Sequence, residues 1–407
     1  MVIWRGVSSL AVVAIVALGA MIIAVPAVAQ GDHAKHAAMP EKVRPLGVSV
    51  AFDGLGRLWL ARVVGQHLQI SVSDDLGKNF SEPVRVNTMP EAISADGENR
   101  PKIALSKDGT VHASYTQSLP RPYSGHIRYS RSTDAGKTFA APVTVNRNTE
   151  IIGHRFDSLL LDGEGRPVIV WIDQRERAAA TRRGEKYPGA AIYYAVANEN
   201  GEFTSDRRLT EHSCECCRIA LARDTDGVPV AYWRHIFEGS ARDFALARLD
   251  GKSTPLRASE DGWVLDACPH HGGSVAIDPN GRYHLAWFSN APKAQGLFYR
   301  YSADRGTSFS APRAFGDNDA QAGHPALLAA GGVVYLAWRE FDGKRTNIMA
   351  MRSADGGASW SAPRRIADTA EAADHPLLVA RGEQPYLAWN TAREGLRLFD
   401  LANEAWR

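Results

Sequence analysis

The chain has 407 residues, with 47 basic against 45 acidic side chains, and this near-balance excludes a nucleic-acid-binding tract or a long charged tail. A hydrophobic content of 44% is ample for a packed core, while 36 glycines and 21 prolines require many turns. The length fits one large domain or two ordinary ones.

Residues 1–29 stand apart. Arg5 precedes "SLAVVAIVALGAMIIAVPAVA", an apolar run closing on Ala27-Val28-Ala29, which reads as a secretory signal cleaved after Ala29. The alternative is an uncleaved anchor, because about 20 apolar residues can just span a bilayer. That segment is the one route to a membrane, since no other stretch is long and apolar enough. Residues 30–39 form a flexible polar lead-in, and residues 40–407 read as a single domain of an exported, periplasmic or secreted protein.

Along that domain one unit recurs seven times. A glycine-bearing turn leads into a strand that usually ends in an aromatic residue: "DGLGRLWLAR", "DGTVHASY", "GEGRPVIVW", "TDGVPVAYW", "PNGRYHLAW", "GGVVYLAW" and "RGEQPYLAW". An alternating strand follows each, from "HLQISVS" to "LRLFDLA". The period, about 45 to 60 residues, is that of propeller blades. Short outer strands follow in six units, "PVRVN", "PVTVN", "RRLT", "PLRA", "PRAF" and "PRRIA". The seventh lacks one, so "PEKVR" at residues 40–44 is expected to complete it and close the ring. The expected fold is therefore all-β, a seven-bladed propeller of four-stranded antiparallel blades, with six blades as the alternative.

Four units carry Ser-x-Asp-x-Gly-x-Ser/Thr-aromatic: "SDDLGKNF", "STDAGKTF", "SADRGTSF" and "SADGGASW", the first with Asn79 in the Ser/Thr place. Asp75, Asp134, Asp304 and Asp355 can accept backbone N–H bonds across a hairpin, with Gly77, Gly136, Gly306 and Gly357 at positive φ. These octads resemble the Asp box of the sialidase-like, or BNR-repeat, β-propellers. The resemblance implies boxes that are structural and lie away from the active face. It also implies, for an active member, three arginines clamping a carboxylate, a tyrosine–carboxylate nucleophile and an aspartate acid/base. Arg100, Arg155 and Arg218 enter inner strands and can form a cationic arc, to which Arg175, Arg234 and Arg339 add charge; Asp173 lies near the same face. The Phe/Tyr-Arg-Ile-Pro motif is absent, no tyrosine is placed as nucleophile, and sialidases resemble this chain with six blades.

The cysteines are concentrated where blades four and five begin. "CECCRIAL" brings Cys214, Cys216 and Cys217, and "CPHHGGSVAI" brings Cys268, His270 and His271. Both stretches should meet at the upper mouth of the channel, ringed by His154, His212, His324 and His375. Three readings stay open there: disulfides, such as Cys217–Cys268; a copper(I) or zinc site; or a redox pair. The long loop 173–190 is expected to project over the same face as a lid or recognition arm. The functional expectation is a metal- or anionic-ligand-binding protein, with an exo-acting glycosidase or a protein-docking scaffold as alternatives.

Overall fold

In the first repeat unit, Ser49–Phe52, Leu58–Val64, His67–Ser73 and Val84–Arg85 pair antiparallel in chain order. In a computed structural model that describes residues 45–403 except Thr204, five more units repeat this arrangement and a sixth repeats its first three strands. The fold is a seven-bladed β-propeller, and the six-bladed alternative is set aside. Second strands are buried on both faces, as in "PVIVWID" of blade three, because each lies between two neighbouring blades. Trp171, Trp233, Trp287, Trp338 and Trp389, from the aromatic ends of five of these strands, are among the largest fully buried side chains. Each contributes on the order of 2–3 kcal/mol by burial.

The inner strands define the axis. Ser49–Phe52, Lys102–Leu105, His154–Leu161, Ala220–Arg223, Ser274–Ile277, Gly323–Ala330 and Leu377–Arg381 pack in sequence, and the last also packs against the first. Closure is reinforced where the backbone N–H of Val48 donates to Asp374 Oδ2 at 3.3 Å and Asn390 Nδ2 donates to the carbonyl of Leu46 at 2.9 Å. Blade seven is described with three strands. Its expected fourth, residues 40–44, lies outside the described residues, as do the signal-like segment 1–29 and the lead-in 30–39. Among the described residues no helix is long and apolar enough to cross a membrane.

All four octads form the expected turn on the face opposite the inner-strand entries. In blade two, Ser132 Oγ and Thr138 Oγ1 donate to Asp134 at 2.7 and 2.6 Å, and the Thr138 N–H donates at 2.9 Å. Asn79 replaces the hydroxyl in blade one by giving both its N–H and its Nδ2 to Asp75, at 2.8 and 2.7 Å. Gly136, Gly306 and Gly357 face the preceding blade: a Cβ at Gly136 would lie 2.6 Å from the Trp59 ring, and one at Gly357 would lie 1.8 Å from the Tyr299 hydroxyl. The octad thus folds its own hairpin and presses it against the neighbouring blade.

One expectation is corrected. Residues Arg175–Arg182 are an α-helix rather than an irregular arm. Alanine and long-chain residues favour a helix there, and contacts fix it: Tyr193 donates its hydroxyl to Glu176 at 2.6 Å, and Arg177 pairs with Glu215 at 2.5 Å.

Candidate functional site

The inner strands of blades two to seven all enter from one face, and their entry residues meet around the axis. Blades three and six depart from plain pairing there, with register shifts opposite Val170–Ile172 and at Gly323–Ala326. Each irregularity holds a non-glycine residue at positive φ, Phe156 at 57° and His324 at 55°. Such a conformation costs of order 1–3 kcal/mol and persists where surrounding contacts hold it.

His324 is the middle of a stack of imidazoles from three blades. Its ring centroid is 3.6 Å from that of His375 and 4.5 Å from that of His271, which in turn stacks on Phe288 at 4.1 Å. Burial lowers all three histidines, His271 to about 3. Nδ1 of His271 and Nδ1 of His375 are buried without a hydrogen-bond partner among the described residues.

Glu98, from the entry to blade two, reaches His324 from the far side of the axis, 3.2 Å from Nδ1. It also accepts the backbone N–H of Arg218 at 3.1 Å and that of Gly272 at 3.0 Å. Burial alone would raise the Glu98 carboxyl, but the His324 hydrogen bond and the Arg218 charge hold it well below the usual carboxylate range. An ionised Glu98 can only accept, so His324 donates from Nδ1 and keeps Nε2 as an acceptor. Close by, Lys102 lines the channel, enclosed by protein yet touching solvent, and desolvation lowers it to about 8.

The arginines expected to form an arc divide into two groups. Arg100 makes a bidentate pair with Asp374, both bonds at 2.6 Å, and tightens the closure between blades seven and two. Arg218 donates Nε to the Gly273 carbonyl at 2.9 Å and Nη2 to the Pro325 carbonyl. Arg175 pairs with Asp173 at 2.7 Å and with Asp206, so Asp173 and Arg175 satisfy each other. Arg155 and Arg339 are different. Both are half-buried, desolvation lowers both, and among the described residues neither has a carboxylate within ion-pair distance. The Arg155 guanidinium lies 5.8 Å from the Tyr123 ring centroid, and Arg339 lies within the electrostatic reach of His271 and His324.

The cysteines come together beside this hub, in the core between blades three and four. Cys214 Sγ is 3.8 Å from Cys216 Sγ and 3.7 Å from Cys217 Sγ, and these three are buried. Cys268 joins them from the blade-five entry by bonding to Cys214 and Cys216. All four are free thiols, so the Cys217–Cys268 bridge, one of the three readings left open, is not formed. Hydrogen bonds from Cys216, Cys217 and Cys268, with Arg242 nearby, push the Cys214 thiol down, and donating to Cys214 pushes Cys268 up to about 12. His270 and His271 are not in the group of close ligand atoms; His270 is exposed and His271 belongs to the stack. Of the four histidines expected to ring the opening, His324 and His375 do. His154 is buried beside Asp173, and His212 sits half-buried against the Tyr187 ring.

Sequence reasoning missed Glu98 and Asp374. Both lie in strand-entry segments, "ENRPKIAL" and "DHPLLV", but no spacing or motif there sets them apart from their neighbours.

No protein-family model matches the chain, and no curated protein matches it. Solved structures match along most of its length. The polysaccharide lyase Uly1 is 12% identical, with a TM-score of 0.54 over 89% of this chain and 91% of that one. The BP39L lectin from Burkholderia pseudomallei is 9% identical, with a TM-score of 0.56 over 87% and 97%. A PL25 ulvan lyase bound to -[GlcA(1-4)Rha3S]- is 10% identical, with a TM-score of 0.51 over 88% and 94%. At such identities the likeness is one of fold.

Proposed function

We propose that the protein is an exported propeller that binds an acidic saccharide over its axis, with the anionic group of the sugar facing Arg339 and Arg155. The observation that carries this reading is Arg339, a half-buried guanidinium beside the His271–His324–His375 stack with no counter-charge among the described residues. A desolvated, uncompensated cation is costly, and a carboxylate held bidentately relieves that cost with directional hydrogen bonds. The unpartnered Nδ1 atoms of His271 and His375 offer further polar contacts to sugar hydroxyls. Among the similar folds, two are named as polysaccharide lyases, one of them holding a glucuronate-bearing chain, and the third is a lectin. The signal-like segment 1–29 supports export. The octads support kinship with the sialidase-like propellers, but the sialidase chemistry does not transfer: Arg100 and Arg218 are occupied by Asp374 and backbone carbonyls.

A second reading, cleavage by elimination, is favoured by the Glu98–His324 pair. A neutral imidazole whose tautomer a carboxylate fixes is a positioned base. It can take the proton α to a uronate carboxylate while the bond to the leaving sugar oxygen breaks and a C=C bond forms.

Titrating glucuronate, galacturonate, sulfated and neutral oligosaccharides into the purified protein tests both readings. Acidic chains are expected to bind, more weakly at high salt, and neutral chains of equal length to be silent. Growth of unsaturated-uronate absorbance adds the second reading. Equal binding of neutral chains, or no binding at all, contradicts the proposal.

A further inference from the structure

We infer that Cys214, Cys216, Cys217 and Cys268 form a closed zinc site that braces the hub, a property independent of the saccharide reading. Three sulfurs cluster, Cys214 touching Cys216 and Cys217 at 3.8 and 3.7 Å, and Cys268 reaches Cys214 and Cys216 from a second chain segment. In a tetrahedral site with Zn–S bonds of about 2.3 Å, neighbouring sulfurs lie about 3.8 Å apart. These two spacings already match that edge, whereas a disulfide needs about 2.05 Å, and a bridge between the adjacent Cys216 and Cys217 would be strained.

The surroundings supply the charge such a site requires. A zinc ion with four thiolates carries a net charge of −2. Arg242 donates Nη1 to Cys214 Sγ at 3.4 Å. Arg234, 1% exposed, donates to the carbonyls of Arg242, His271 and Phe288, and its Nε is buried without a partner among the described residues. Neither arginine makes an ion pair with a carboxylate among the described residues. A buried Arg234 and a half-buried Arg242, neither in such an ion pair, are costly, and beside a tetrathiolate they become its outer partners.

Four protein ligands leave no open position, so the ion is structural. Its effect on the site follows from chain connectivity. Cys217 directly precedes Arg218, and Cys268 lies four residues before Gly272; these two N–H groups hold Glu98. The zinc therefore ties together the two segments that cradle the Glu98 carboxylate.

Untagged protein purified without chelator is analysed for bound metal, with thiols titrated after denaturation. One zinc and four titratable thiols per chain are expected. Replacing the zinc by cobalt should produce the visible absorption of tetrahedral thiolate-bound cobalt. Cys268 is half-buried and its replacement is the mildest, so Cys268→Ser should fold yet lose zinc to a chelator at least tenfold more readily. Should that variant fail to fold, the wild-type metal and thiol counts decide. Metal-free protein with no titratable thiols, copper in place of zinc, colourless cobalt protein, or equal zinc retention by Cys268→Ser would each overturn the assignment. Saccharide binding by a metal-free protein would leave the proposed function standing while this inference fell.

Discussion

The two faces of the propeller satisfy their charges in opposite ways. On the octad face, Asp134, Asp304 and Asp355 are exposed and Asp75 is half-buried, and each finds its donors within four residues, as Asp134 does in Ser132 and Thr138. On the strand-entry face the charges are buried and their partners are distant in sequence: Arg100 meets Asp374 across 274 residues, and Glu98 meets His324 across 226. Repetition with local partners marks scaffold, whereas unrepeated residues joined across blades mark the place where the molecule can do chemistry.

The largest effect is expected from breaking a cross-blade pair. Asp374→Ala leaves the Arg100 guanidinium, 5% exposed, facing backbone carbonyls alone. A loss of about 3–5 kcal/mol is expected, read from the urea unfolding midpoint. A loss under 1 kcal/mol would mean that closure does not depend on this pair.

An octad glycine should come next. Gly357→Ala puts a Cβ against the Tyr299 hydroxyl at a φ of +89°, and about 2 kcal/mol should be lost to backbone strain and crowding. Differential scanning calorimetry measures it, and an unchanged midpoint would contradict the interlocking of octad and neighbouring blade.

Acid should separate the faces in order. Native His271 stays neutral down to about 3, and burial lowers His375 as well, while unfolded imidazoles take up protons near 6.5. Their contribution is therefore whole above pH 6.5 and is lost as pH falls below it, about 1 kcal/mol per buried histidine by pH 5.5. Backbone and side-chain hydrogen bonds hold Asp75 and Asp304 at about 2, against an ordinary 3.8. Their contribution is whole above pH 3.8 and disappears only as pH falls towards 2. Hydrogen exchange against pH should show the strand entries loosening first, and simultaneous loosening would count against the contrast. The smallest effect is Asn79→Ser, which should change stability by less than about 0.5 kcal/mol, because Asn79 already makes both octad bonds.

The same contrast explains what could be read in advance. The seven units and the octad turns were legible because their rules are local: alternation, a turn glycine and a carboxylate four residues from its donor. "HLQISVS" is a strand as read, His67–Ser73. The meeting of Cys268 with the Cys214–Cys217 loop was also legible, since circular symmetry brings neighbouring entries together. The Glu98 and Asp374 partnerships were not, because they depend on which blades face each other across the axis. Nor was the helix Arg175–Arg182, where position between two strands outweighed a helix-favouring composition. His271 was grouped with Cys268 by nearness in sequence, but the backbone turns it towards His324.

The central claim is that the strand-entry face binds an anionic sugar through Arg339. Calorimetric titration of an acidic oligosaccharide into Arg339→Gln and Gly357→Ala, at a temperature where both are folded, tests it most directly. The account predicts at least tenfold weaker binding by Arg339→Gln with an unchanged melting midpoint, and wild-type binding by the less stable Gly357→Ala. Wild-type affinity in Arg339→Gln would contradict it.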